Sequence, residues 1–149
     1  MAFGQLSLKG RALKLLAARE HSRRELERKL APHEAEPGQL KTALDELQAR
    51  GFIDEQRVVD SLLHRRASRL GTGRIRHELQ AKGLDAERVA LAVASLKASE
   101  VERARQVWRK KFGVLPQDAA QRAKQARFLA ARGFDGEVIQ RVLSLRDEE

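Results

Sequence analysis

Leu79-Gln80-Ala81-Lys82-Gly83-Leu84-Asp85 reads as the end of one helix and the start of the next. Glycine lacks the Cβ that makes the left-handed conformation costly, so it commonly stands just past a helix end. With Gly83 in that place, Leu79 and Leu84 are the residues whose apolar contact accompanies such an ending. Lys82 complements the negative end of the helix dipole. Asp85 can then cap the next helix by accepting from its orphan N–H groups, and Glu87 falls in the first turn, where negative charge is favoured. The phrase returns as Leu47-Gln48-Ala49-Arg50-Gly51-Phe52 before Asp54 and Glu55, and as Leu129-Ala130-Ala131-Arg132-Gly133-Phe134 before Asp135 and Glu137. Three copies predict three helix–turn–helix corners, with Leu47–Phe52, Leu79–Leu84 and Leu129–Phe134 as their apolar pairs.

Working outward, Gly10 to Arg19 carries Leu13, Leu16 and Ala17 on one face. Ser22-Arg23-Arg24-Glu25 has the form of a capping box, followed by Leu26 and Leu30 at helical spacing. Pro32 and Pro37 make 32–38 a loop. Further helices are predicted over 39–50, over 55–70 with Val59, Leu63, Ala67 and Leu70 inward, and over 74–82 after the break Gly71-Thr72-Gly73. The pattern continues over 86–96, over 99–111 with Val101, Ala104, Val107 and Trp108 inward, over 117–132 and over 137–145. The charged end, Arg146 to Glu149, is expected to fray. The fold class is therefore all-α: an elongated tandem array of three three-helix units, spanning 1–53, 54–98 and 99–149.

Composition agrees. The 149 residues contain no Cys, no Tyr, one Trp and five Phe, so the core must be built from Leu, Ala and Val. Charged residues make up 34%, and the abundant types are the strongest helix formers. A β-sandwich is excluded, as are disulfides, thiolate metal sites and a Cys nucleophile. A cytoplasmic home is the simplest one for such a chain, and no apolar run is long enough to span a bilayer. With 30 Lys and Arg against 21 Asp and Glu, the net charge is +9, and polyanions such as nucleic acid are the natural partners.

Two basic clusters follow. Arg65 and Arg69, four apart, share a helix face, and the Gly71-Thr72-Gly73 turn brings Arg74 and Arg76 toward Arg65, Arg66 and Arg69. Free N–H groups at the helix start after that turn add a possible phosphate contact. Arg109, Lys110, Lys111, Arg122, Lys124, Arg127 and Arg132 form the second cluster, with Asp118 the one acid nearby. Each cluster reads as a phosphate-binding surface or as a solvated helix face, and the first reads also as a face for acidic residues on a protein filament. Trp108, Phe52, Phe128 and Phe134 read as packing residues. The four His are scattered without metal-ligand spacing, there is no phosphate loop, and the carboxylates lie in polar surroundings, so neither cofactor nor enzyme activity is expected.

Four stretches, in order along nearly the whole chain, resemble the RecX family. They are Ala12 to Leu26, Arg50-Gly51-Phe52-Ile53-Asp54-Glu55-Gln56-Arg57, Gly73-Arg74-Ile75-Arg76-His77-Glu78-Leu79-Gln80-Ala81-Lys82-Gly83, and Arg127 to Phe134. The resemblance implies a cytoplasmic bacterial regulator made of three-helix repeats; a monomer is expected. It implies binding in the groove of the RecA–DNA filament and suppression of strand exchange, ATP hydrolysis and co-protease action. Single-stranded DNA, and double-stranded DNA as well, are the further partners it implies. The first repeat departs most, since 31–37 replaces the Lys-Gly helix ending common in the family. A general architectural DNA-binding protein is the alternative.

Overall fold

The computed structural model describes residues 6–144. Among the described residues there are nine α-helices and no strand: α1 (Leu8–Ala18), α2 (Arg23–Leu30), α3 (Gln39–Ala49), α4 (Glu55–Arg66), α5 (Thr72–Ala81), α6 (Ala86–Lys97), α7 (Glu100–Lys111), α8 (Ala119–Ala131) and α9 (Gly136–Leu143). A single 3-10 turn, Ala31–His33, follows α2. None of these helices is long and apolar enough to cross a membrane. Leu145 and the charged end Arg146 to Glu149 lie outside the described residues.

The helix starts follow from local chemistry. Ser22 accepts from the Glu25 N–H while the Glu25 carboxylate accepts from the Ser22 N–H, so the capping box is complete. Asp54, Asp85 and Asp135 accept from the N–H groups of Arg57, Arg88 and Val138 at 3.0, 2.8 and 3.0 Å. Ser7 and Asp118 cap α1 and α8 in the same way.

The corner glycines are left-handed, with φ of 83° at Gly51, 75° at Gly83 and 96° at Gly133. Both hydrogen bonds of the Schellman ending are made at the first corner, where the Phe52 N–H donates to Leu47 O at 2.9 Å and the Gly51 N–H to Gln48 O at 3.1 Å. They are made again from Phe134 to Leu129 and from Gly133 to Ala130. Phe134 is buried with Leu129, as the phrase predicts. Phe52 is not: it is 40% exposed, beneath the Arg50 guanidinium. Ile53, one residue on and 2% exposed, fills the core in its place.

Two compact units form. One gathers the described residues up to Ser61 together with Ala81–Leu84. Its core is Ala12, Leu26, Leu30, Leu40, Leu44, Leu47 and Ile53. Ala12, fully buried, replaces Ala17 as the inward alanine of α1. In this unit the Gly83 corner seats on the start of α2. The Ser22 hydroxyl donates to Lys82 O at 2.6 Å, the Lys82 ammonium bonds Glu25 at 3.0 Å, and Gly83 lies against the Arg24 side chain.

The other unit gathers Leu62–Gln80 with the chain from Asp85 onward. Its core joins α7, α8 and α9 through Ala104, Val107, Trp108, Leu129, Phe134, Val138, Ile139, Val142 and Leu143. Trp108 is core, and its indole N–H donates to Gln125 Oε1 at 2.8 Å. The predicted helix over 55–70 stops at Arg66, leaving 67–70 as a turn, and Leu62 rather than Leu63 is the fully buried leucine. The next helix begins at Thr72, two residues before the predicted start.

Candidate functional site

The turn between α4 and α5 positions the site, and it is fixed by contacts remote in sequence. Arg103, on α7, donates to Ala67 O at 2.9 Å, Leu70 O at 2.7 Å and Leu96 O at 3.0 Å. The Ala67 and Leu70 carbonyls need a donor because α4 has already ended. Burial in this position lowers the Arg103 pKa, against the pull of Glu100. Glu100 is itself 4% exposed and accepts from the Thr72 N–H at 3.1 Å. The Gly71 and Gly73 N–H groups donate to the carbonyls of Arg132 and Gly133 at 2.7 and 3.1 Å. The N–H groups of Gly71, Thr72 and Gly73 are thus consumed within the fold and do not offer the phosphate contact expected there. Gly71 and Gly133 approach so closely that a Cβ on either would overlap the other's backbone or that of Arg74.

The cations separate into paired and unpaired sets. Arg66 donates twice to Glu78, at 3.2 and 2.7 Å, and this raises its pKa. Arg74 reaches the same carboxylate at 3.6 Å and Ala131 O at 3.3 Å. Arg69 lies beyond the end of α4, so it does not share a helix face with Arg65. It instead joins members of the second cluster. Arg69, Lys110, Lys111 and Arg132 line one cleft of about 600 Å³ with Arg103, Ser68, Gln106, Val107 and Phe128. No carboxylate within 4.0 Å pairs any of these four cations among the described residues. Phe128 holds two of them, with the Arg132 guanidinium 4.8 Å and the Lys111 ammonium 5.5 Å from its ring centroid. Phe112 meets the same ring edge-on at 5.4 Å.

The remaining members do not join the cleft. Arg122 and Arg127 border a separate shallow groove between α8 and α9 with Ala126, Ile139 and Leu143. Arg65, Arg76, Arg109 and Lys124 are exposed. Glu100 and Arg103, which hold the turn, were missed by sequence reasoning. Each looks like an ordinary member of a charged helix, and no local signal marks it.

The segment 103–132 holds nine Lys or Arg and a single acid, Asp118. A cleft so lined can hold an anion, since an unpaired guanidinium or ammonium gains a charge-assisted hydrogen bond from phosphate or carboxylate.

Comparison with known proteins shows the RecX first, second and third three-helix domains matching residues 9–47, 54–93 and 98–143. The regulatory protein RecX of Leptothrix cholodnii is 56% identical over 145 residues, covering 97% of this chain and 92% of that protein. That of Herminiimonas arsenicoxydans is 47% identical over 148 residues, covering 99% and 98%. The crystal structure of RecX from Lactobacillus salivarius matches in fold with a TM-score of 0.75 at 18% identity, covering 91% of this chain and 92% of that one. A second crystal structure of regulatory protein RecX gives 0.76 at 19%, covering 91% and 70%.

Proposed function

The chain belongs to the RecX family of regulatory proteins, and from that premise we propose that it is a negative regulator of the RecA recombinase. It binds the RecA–DNA filament and occupies its groove, and by doing so inhibits recombinase, ATPase and co-protease activity. The mechanism is occupancy, not catalysis. The protein works as a cytoplasmic monomer without a cofactor, as an array of repeats over 1–53, 54–98 and 99–149. The observation that carries the reading is the gathering of Arg69, Lys110, Lys111 and Arg132 in one cleft without a carboxylate partner. Unpaired cations attract DNA phosphate or an acidic protein surface, and they associate quickly through long-range steering.

Binding to bare DNA is compared with binding to RecA-coated DNA at one salt concentration, and RecA's DNA-dependent ATP hydrolysis is followed in parallel. The expected result is preference for the coated DNA and ATP hydrolysis that falls in proportion to added protein. Preference for bare DNA, with steep loss of affinity in salt, would instead indicate a general architectural DNA-binding protein. Unchanged ATP hydrolysis at saturating filament binding would overturn the inhibitory role.

A further inference from the structure

We propose that the cleft between the 67–70 turn, α7 and α8 is a binding subsite for one nucleotide, phosphates on Arg69, Lys110, Lys111 and Arg132 and base against the Phe128 wall. The proposal goes beyond filament regulation, because it needs neither recombinase nor filament. Four unpaired cations, with Arg103 behind them, converge on about 600 Å³, a volume in the range of small-ligand sites. Such density suits the closely spaced charges of a phosphate chain better than the separate carboxylates of an acidic peptide.

The cleft is not only cationic. Val107 and Phe128 supply apolar wall, while Ser68 and Gln106 supply hydrogen-bonding groups. The Arg132 guanidinium, 4.8 Å from the Phe128 centroid, makes with the ring a stacking platform of the kind that receives unpaired bases. Arg132 joins the two functions, its N–H edge open to phosphate while its face lies against the Phe128 ring. The nucleotide comes either free, as a nucleoside triphosphate, or as one unit of a single strand, since both present the same chemistry.

The full chain, without recombinase or DNA, is titrated with ATP in a calorimeter at low salt. Saturable binding at one site per chain is expected. Lys110→Glu, at an exposed position that leaves the core untouched, should weaken it by about tenfold or more, as removal of a charge-assisted hydrogen bond does. Lys14→Glu, the same charge change on α1, should change it by less than about twofold, since it removes no ligand of the site and acts only through screened charge. Phe128→Leu should weaken ATP by about tenfold while leaving inorganic triphosphate nearly unaffected. Absence of saturable binding, or equal losses in the two lysine variants, overturns the site. Inorganic triphosphate binding as tightly as ATP also overturns it, because the base wall would then be idle. Competition with an oligothymidylate identifies the source: displacement of ATP by the strand at lower nucleotide concentration assigns the site to nucleic acid, and the converse assigns it to free nucleotide. Both results uphold the subsite, and neither depends on whether the protein inhibits RecA.

Discussion

Arg103 shows how much one side chain can hold. Its guanidinium supplies donors to Leu96 O and to the Ala67 and Leu70 carbonyls past the end of α4, so removing it leaves those two partly buried acceptors unsatisfied. Arg103→Met should lower stability by about 2–4 kcal/mol, read from urea unfolding, since a buried network is broken. His21 makes a different kind of claim. It is 1% exposed, with Nδ1 3.0 Å from Arg19 O and Nε2 3.1 Å from the Lys29 ammonium. A carbonyl only accepts, so Nδ1 carries the proton and Nε2 accepts from Lys29. Burial, and the nearby cations with it, hold its pKa below the ordinary 6.5. The unfolded chain therefore takes up a proton first, and stability should fall as pH drops below about 6.5. In His21→Asn that step should be absent from the pH dependence of the urea midpoint. Burial pushes the Glu25 carboxyl up, but bonds from Arg19, the Ser22 N–H and Lys82 outweigh it and bring the pKa down from 4.5 to about 2. Its contribution, about 2–3 kcal/mol, is complete above pH 4.5 and is lost as pH falls from there toward 2.

Among the elements, the glycine corners repeat a local design but not a tertiary role. The Gly83 corner seats on the start of α2, and the Gly133 corner receives the start of α5. The Gly51 corner seats on nothing that a Cβ would touch. Alanine at Gly51 should cost about 1 kcal/mol, the conformational penalty alone. At Gly83 the added Cβ also meets the Arg24 side chain at 2.5 Å, which can swing aside in part. At Gly133 it meets the Arg74 backbone N at 2.6 Å, which cannot. Thermal unfolding of the three variants should therefore rank Gly133→Ala as the most damaging, then Gly83→Ala, then Gly51→Ala, with overpacking adding about 1–3 kcal/mol at the first. The segment 31–37, where no such corner stands, is held by side chains instead. Glu34 accepts from the Leu40 N–H at 2.8 Å, and Gln39 Oε1 accepts from the N–H groups of Ala35 and Glu36, both at 3.1 Å.

At the scale of the whole molecule, charge is distributed by pairing rather than by count. Near α1 to α3, cations meet acids: Lys9 with Glu46, Arg23 with Asp45, Arg57 with Glu20. Exposed pairs of this kind stabilise little, but they do neutralise the surface on which they stand. Between 103 and 132 there is one acid for nine cations; Arg105 pairs with Glu102 and Arg103 is used on carbonyls, but Lys110, Lys111 and Arg132 meet no carboxylate within 4.0 Å among the described residues. If bare DNA is bound through this segment, a double variant Lys110→Gln, Lys111→Gln should reduce the slope of log affinity against log salt by about 2, one unit for each phosphate that is no longer neutralised. The pair Lys9→Gln, Lys41→Gln should leave the slope unchanged, because both ammonium groups already face carboxylates.

Sequence alone determined the helix starts that carry a capping side chain and the helix ends that carry a left-handed glycine, because both act on backbone groups only a few residues away. Ser22 with Glu25, and Asp54, Asp85 and Asp135, are legible for that reason. Sequence misjudged Phe52, whose core place Ile53 takes, and it misjudged α4 beyond Arg66 and the start of α5, which depend on partners from distant segments. The cleft was legible only as two separate runs of basic residues. Tertiary structure decided that Arg66 and Arg74 are spent on Glu78, that Arg69 joins Lys110, Lys111 and Arg132, and that the Gly71, Thr72 and Gly73 N–H groups meet two carbonyls and the Glu100 carboxylate of the protein itself instead of an external anion. Electrostatic pairing depends on distances of a few ångströms between residues far apart along the chain, and only folding sets those distances.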